Sequence, residues 1–463
     1  MNKINFPEKP SITKIWTVGT LTYGTAGIAS LFFWLLWGDF AWSMKDRAVT
    51  SVATLMIKSF EVSDFTYGLL ILAFPNCTNV LLGPFVSYYS DRHRSKYGRR
   101  IPFLAATLPF IIVGMVGLGL TPKLGENLQQ LIGIEILSRH AACLLCFSVF
   151  WIMFDFGNTL ANTIFTALVN DVVPEKFLGR FFGMFRAISL GAGIFFNYCL
   201  MGKAETHATA IFLGLATLYL ICFSLLLLKV KEGEYPPVNL EKNYSPGGIF
   251  IMRTYMKVCF STSYYKVVLF SVPLAGLASI PFNAYSIFQA KSLGVSMGSY
   301  GKYLAYTYAI SFVLSYFLGS LADKFHPIRM GIITTVLYGL LSFIGYFYVD
   351  SERCFAIVLI LHGVLSGCFL TTTASFGSRL FPKALFAQFY SAMWILQSMS
   401  WVIMVPLIGI LLDYTNNQYK YTLLFGGFFS IFGTYALYIV YRNFNQLGGD
   451  SSYMAPEVTV NGL

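Results

Sequence analysis

Asp39, Asp155 and Arg186 lie inside long apolar runs. A charge in such a setting is costly unless it faces a wet cavity or a partner, so each marks a position where chemistry is expected. Asn158, Thr159, Asn162 and Thr166 continue the side of Asp155 at helical spacing. An ionised carboxylate accepts two hydroxyl donors at once, which suits a vicinal diol, and it can take up and release a proton. Asp39 leads a second series, with Ser43, Asp46, Thr50 and Thr54 on one helical face. Asp39, Asp46 and Asp155 are the candidate proton carriers, and Asp39 and Asp155 are also candidate acceptors for a hydroxylated ligand. The plainer alternatives are an internal salt bridge of Asp46 with Lys45 or Arg47, and a helix–helix hydrogen bond for Asp155. Arg186 shares its side with Ser189, Gly193 and Asn197. Its alternative is to snorkel to the headgroups.

Six of the seven tryptophans fall in apolar runs, Trp151 one turn from Asp155 and Trp394 one turn before Gln397. An indole face stacks on the C–H groups of a sugar ring, although Trp and Tyr also form belts at membrane interfaces. Trp151, Asn158, Asn162, Arg186, Trp394 and Gln397 complete the candidate substrate contacts. The C-terminal half offers neutral polar groups, among them Asn283, Gln289, Thr371, Thr372, Thr373 and Gln388. Charge chemistry is therefore predicted in the first half and shape selection in the second. The five histidines, at 93, 140, 207, 326 and 362, form no catalytic cluster, which argues against a membrane-embedded transferase. Cys143 and Cys146 are spaced i, i+3 without further ligands nearby and read as packing. No metal, no cofactor and no enzymatic reaction is expected.

The elements that must hold these groups are membrane helices. Apolar residues make up 56% of the 463 and charged residues 11%, and the mean hydropathy is +0.64. An ordinary soluble domain carries about 25% charge. The deficit, with long continuous apolar runs, predicts an all-α membrane protein rather than a barrel. Twelve spans of about twenty residues or more are predicted: 25–57, 66–90, 101–122, 139–168, 181–201, 208–229, 265–290, 300–321, 329–349, 354–379, 386–412 and 420–441. The longest hydrophilic stretch, 230–264, parts them six and six. Residues 1–229 form one six-helix unit, 230–264 a cytoplasmic central loop, 265–441 a second unit and 442–463 a cytoplasmic tail. The part of the loop with Arg253 and Lys257 is expected to lie along the membrane surface.

The net charge is +11, but the basic residues sit mostly in short loops, so nucleic acid is not the expected partner. With cytoplasmic termini, that side carries 21 of the 32 Lys and Arg residues and the far side 10, which favours this orientation. Residues 1–18 show no apolar core with a small-residue cleavage site, so the first run is expected to be retained.

Between the second and third runs stands Asp91-Arg-His-Arg-Ser-Lys-Tyr-Gly-Arg-Arg100, with Gly83 upstream and Pro102 downstream. Gly319-Ser-Leu-Ala-Asp323-Lys echoes it in the second half. A second echo joins Pro174-Glu-Lys-Phe-Leu-Gly-Arg-Phe-Phe to Pro382-Lys-Ala-Leu-Phe-Ala-Gln-Phe-Tyr. Two echoes at matching places predict an internal duplication, a recurrent basis of transporter folds. Cations in this loop can meet the negative ends of neighbouring helices, and Asp91 can brace an arginine across a domain seam. Gly83, Asp91, Arg92, Gly98, Arg99, Arg100 and Asp323 are accordingly predicted to form a conformational latch for the outward-facing state.

Gly83 to Arg100 resembles the loop 2–3 motif of the major facilitator superfamily. Ser90-Asp-Arg with Tyr97-Gly-Arg-Arg-Ile-Pro-Phe103, Trp151-Ile-Met-Phe-Asp-Phe-Gly-Asn-Thr159 and Gly38-Asp-Phe-Ala41 narrow the likeness to the glycoside–pentoside–hexuronide cation symporters and the sucrose/proton symporters. The resemblance implies two pseudo-symmetric six-helix bundles in the plasma, or bacterial inner, membrane. It implies symport of a sugar or glycoside, with another solute such as an organic anion, peptide or drug as the alternative. It matches Asp155 to a sugar-contacting aspartate and gives Arg186 as its partner. Melibiose-type members hold sodium with two aspartates that fall here on Pro75 and Asn79. Neither supplies a carboxylate, so a proton is the expected coupling ion. Membrane lipid is the other expected partner, and the chain is expected to be a monomer.

Overall fold

In the computed structural model, residues 15–133, 135–234, 257–373, 376–382 and 385–456 are described. A short antiparallel hairpin, β1 (Trp16–Val18) and β2 (Leu21–Tyr23), precedes the helices. The first six crossings begin with α1 (Thr25–Lys58). The second runs from α2 (Asp64–Tyr67) through a π-helical turn (Gly68–Ala73) into α3 (Phe74–Arg92). Then follow α4 (Ile101–Ile132), α5 (Arg139–Val172), α6 (Glu175–Phe195) with a second π-helical turn (Phe196–Leu200), and α7 (Ala208–Lys229). The second set opens with a broken crossing, α8 (Ser263–Gly276) and α9 (Ile280–Ser292). It continues with α10 (Met297–Phe325), α11 (Pro327–Tyr348), α12 (Glu352–Thr373), the short α13 (Phe376–Leu380), α14 (Phe386–Tyr414) and α15 (Tyr421–Gln446).

Among the described residues ten helical segments are long and apolar enough to cross a membrane. With α1 and α10, of 34 and 29 residues, the long helical segments among the described residues number twelve. Local chemistry sets several starts: the hydroxyls of Ser63, Ser138, Thr262 and Ser296 each accept a first-turn N–H. Small residues then set how closely helices pack. A Cβ on Gly114 of α4 would stand 2.7 Å from the Cα of Phe154, and one on Gly125 2.8 Å from that of Cys143, so α4 and α5 meet backbone to backbone.

The lobes touch reciprocally. The second crossing of the first lobe (α2–α3) packs on the fifth of the second (α14), and the fifth of the first (α6) on the second of the second (α10). Such i-to-j and j-to-i pairing is what a pseudo-twofold axis produces.

Several boundaries differ from expectation. The third crossing runs ten residues past its predicted end, because Pro122 stays within α4 and a polar last stretch follows it. The seventh is interrupted at 277–279, after Pro273 and Gly276. The hairpin had no clear sequence signal. Arg253 of the predicted surface segment lies outside the described residues.

Candidate functional site

The polar residues of the first lobe converge on its interior. Lys45 of α1 is fully buried. Its ammonium lies 3.5 Å from the Trp42 ring centroid, 5.3 Å from that of Tyr219 on α7 and 5.5 Å from that of Phe154 on α5. It donates to Oδ1 of Asn158. Asp155, one turn earlier, is 3% exposed and accepts a 2.6 Å hydrogen bond from the Thr78 hydroxyl of α3. Trp151 stacks on Phe147 and donates from Nε1 to the carbonyl of Leu70 at 2.8 Å, in the π-helical turn. A π turn disrupts the regular backbone ladder, and Trp151 takes up one of its carbonyls.

Asp39 departs from its expected place on an open cavity. It is fully enclosed, bonded by Ser43 at 3.3 Å, and its Oδ2 has no hydrogen-bond partner among the described residues. Gly38 explains the enclosure, since α1 approaches α7 there so closely that a Cβ would overlap Leu226. Asp46 and Asn162 are exposed.

A cavity of about 400 Å³ lies between the lobes, within the usual range of about 300–1,000 Å³ for small-molecule sites. The first lobe gives it Arg186. The second gives Ser279 and Asn283 beside the break in the seventh crossing, Ser366 and Phe369 of α12, and Tyr390, Trp394, Gln397 and Trp401 of α14. Irregular backbone at membrane depth is tolerated where it lines such a space. The Asn283 amide is fixed by a buried relay: its Oδ1 lies 2.8 Å from His362 Nε2, and His362 Nδ1 lies 2.5 Å from the Tyr338 hydroxyl. A proton on Nε2 satisfies both bonds.

The geometry brings Arg186, Trp394 and Gln397 together and leaves Asp39, Asp155 and Trp151 off the cavity wall. The implied Arg186–Asp155 pair is absent among the described residues. Asp155 takes Thr78 as its partner and has Lys45 as the nearby cation, because α5 turns that face into its own lobe.

Along α14 the cavity residues precede Val405, Gly409 and Asp413, which form a seal at the end remote from the chain termini. Asp413 accepts from the backbone N–H groups of Asp64 (2.7 Å) and Phe65 (3.0 Å) at the start of α2. Asp64 pairs with Lys58 at 2.5 Å and accepts from the Tyr419 hydroxyl at 3.3 Å. Tyr285 donates to the carbonyls of Asp64 and Val405, and Tyr67 to that of Ala284. Gly409 permits the approach: a Cβ there would stand 2.7 Å from the Asp64 carbonyl oxygen. Lys291 and Glu205 add a cross-lobe pair at 2.5 Å. Beyond the seal is a vestibule of about 860 Å³ lined by Lys58, Glu205, Lys291, Asn416 and Tyr419 among others.

The charged loop lies at the opposite end. Arg99 and Arg100 both bond Asp171 at the end of α5, and Arg100 also donates to Ser90. Glu232, just after α7, accepts from the N–H groups of Arg99, Arg100 and Ile101 at 3.0, 2.8 and 2.7 Å, so it caps α4. Gly98 has φ +101°, and a Cβ there would collide with Glu232. Gly83 and Arg92 lie on α3. The side chains of Asp91 and Asp323 are outside the described residues, so the seam-bracing role expected of Asp91 lies outside them too.

Sequence reasoning missed Lys45, Asp171, Glu232 and the Asp64–Asp413 seal. Lys45 alone had a usable signal, a cation deep in an apolar run.

The sequence matches no known family model. Solved structures do match. A D-xylose–proton symporter is 15% identical, with a TM-score of 0.64, covering 94% of this chain and all of its own. A variant of the nucleoside transporter NupG is 11% identical with a TM-score of 0.67, covering 89% and 100%. A bacterial homologue of the human lysosomal transporter Spinster, inward-facing and unoccupied, is 13% identical with a TM-score of 0.65, covering 90% and 97%. These are transporters, not enzymes. The chain has the major facilitator fold and is an integral membrane protein.

Proposed function

We propose that the chain is a secondary active transporter of a sugar or glycoside, working by alternating access and coupled to protons. The observation that carries this reading is the cavity of about 400 Å³ that Arg186 of the first lobe shares with polar and aromatic residues of the second, in two lobes that contact each other reciprocally. Trp394 and Trp401 offer ring faces. Asn283, Gln397, Ser279 and Ser366 offer hydroxyl partners. Asp155 is the proposed proton carrier, with Asp39 enclosed in this conformation and Asp46 exposed. Gly83, Asp91, Arg92, Gly98, Arg99, Arg100 and Asp323 are the proposed latch of the outward-facing state, Arg99 and Arg100 being held by Asp171 within the first lobe in this conformation. With both termini cytoplasmic in a plasma or bacterial inner membrane, the seal faces outward and the conformation is inward-facing.

A second reading has one observation in its favour. Arg186 is the single charged residue on the described wall of the cavity, and such a wall suits an organic anion.

Uptake of labelled sugars into proteoliposomes, with and without a pH gradient and with sodium varied, tests the proposal. Accumulation driven by the pH gradient and lost in Asp155→Asn is the expected result. Sodium-dependent uptake indifferent to the pH gradient refutes the coupling.

A further inference from the structure

The outer wall of the second lobe carries a groove that neither the cavity nor the seal uses. It runs between α11 and α15 and has a volume of about 420 Å³. Its walls are apolar: Val336, Leu340 and Phe343 on α11, Ile431 and Tyr435 on α15. Gly339 sets the floor, since the helices meet there so closely that a Cβ would overlap the Ser430 hydroxyl. Toward the side of the chain termini, Tyr438 belongs both to this groove and to a second hollow of about 320 Å³ lined by Tyr441, Arg442, Asn445 and Gln446. The two join into one trough, apolar along its length and polar at its end. From Ser430 to Tyr438 the helix rises about 12 Å, most of the depth of one leaflet of a hydrocarbon core about 30 Å thick.

The polar end holds an unpaired cation. Arg442 is exposed and has no hydrogen bond or ion pair among the described residues. Arg329 of α11 stands beside it across Tyr441, donating from Nε to the Tyr441 hydroxyl at 3.1 Å, but Asp450 neutralises it at 2.9 Å. No acidic side chain is among the described residues that line the hollow. The amides of Asn445 and Gln446 add N–H donors suited to phosphate oxygens. Tyr438 and Tyr441 are of the type that anchors at the membrane interface. Basic pockets between membrane helices on the cytoplasmic side are places where anionic headgroups are held.

We infer that the trough is a site for one anionic glycerophospholipid, with an acyl chain laid between α11 and α15 and its phosphate on Arg442. The site lies away from the cavity, so it stands or falls separately from the choice of cargo and of coupling ion.

The experiment is thermal unfolding of the delipidated full chain in detergent with added dioleoylphosphatidylglycerol, dioleoylphosphatidylcholine or glycerol 3-phosphate. Phosphatidylglycerol is expected to raise the melting temperature by about 2–4 °C over phosphatidylcholine, and glycerol 3-phosphate to leave it unchanged. Arg442→Gln is expected to erase the difference between the two lipids, and Arg442→Lys to keep most of it. Thr434→Trp fills the groove without altering the charge and is also expected to erase the difference. Should that variant not fold, Leu340→Trp on the facing wall, whose side chain is exposed, takes its place. A loose annulus drawn by the overall positive charge would prefer phosphatidylglycerol in every variant. That result overturns the site, as does equal stabilisation of the parent protein by the two lipids. A matching shift with glycerol 3-phosphate overturns the lipid in favour of a free anion.

Discussion

Asp155 and Arg186 were legible as candidates because a charge inside an apolar run has few innocuous explanations. Their partners were not legible. Helical spacing gives a face, but which way the face turns depends on packing, and α5 turns Asp155 toward Thr78 and Lys45 rather than Arg186. Lys45 was read only as a neighbour for Asp46, since adjacent opposite charges invite a local pair; its burial against Trp42 and Tyr219 comes from α7, far away in sequence. His326, between α10 and α11, shows how burial acts outside the membrane spans. It is 7% exposed, its Nδ1 accepts from the N–H of Ile328, and its ring lies 4.5 Å from that of Phe444. Burial lowers its pKa from 6.5 to about 4; Asp450 opposes the shift, and Arg379 and Arg329 add to it. The unfolded chain therefore takes up this proton more readily than the folded one. The contribution is intact above pH 6.5 and is lost as the pH falls toward 4. Melting temperatures measured between pH 7 and 4.5 should drop less steeply in His326→Asn than in the parent; an unchanged slope would exclude His326 as a contributor.

At the scale of elements, the twelve crossings were readable because lipid leaves the backbone few alternatives to the helix. Their interruptions were not. The break at 277–279 and the two π-helical turns are tertiary accommodations that hydropathy cannot register. The seal shows what such details do. Asp413 of α14 holds two N–H groups at the start of α2, and only a glycine at 409 lets the helices come that close. Asp413→Asn exchanges a charged acceptor for a neutral one, a loss of about 1–2 kcal/mol. That shifts the balance between closed and open seals roughly five- to thirtyfold. Spin labels at the exposed Glu61 and Asn416, one on each lobe, should show a longer-distance population growing in the variant. An unchanged distance distribution would mean that Asp413 does not hold the seal.

For the molecule as a whole, two weak sequence echoes anticipated a duplication, and the reciprocal contacts of α2–α3 with α14 and of α6 with α10 carry it in three dimensions. Such an arrangement supports rocking about the cavity, with one rim parting as the other closes. Ser366→Cys, on the cavity wall, should react with a membrane-impermeant thiol reagent from the terminal side in the parent conformation and from the opposite side when the Asp413→Asn exchange opens the seal. Reaction from one face only in both proteins would contradict alternating access. The cargo was never legible to the same degree. It depends on where Arg186, Trp394 and Gln397 stand around a space, and helices from both halves must be placed before that space exists.

Glu232 hooks the segment leaving α7 onto the start of α4, and the Thr20 hydroxyl of the hairpin accepts from the N–H of Glu234 at 2.8 Å. The chain just after α7 is therefore clamped like a cable at a strain relief. A pull applied at residue 234 would meet the Thr20 bond first and the Glu232 contacts at Arg99–Ile101 next, before it reached the last turn of α7.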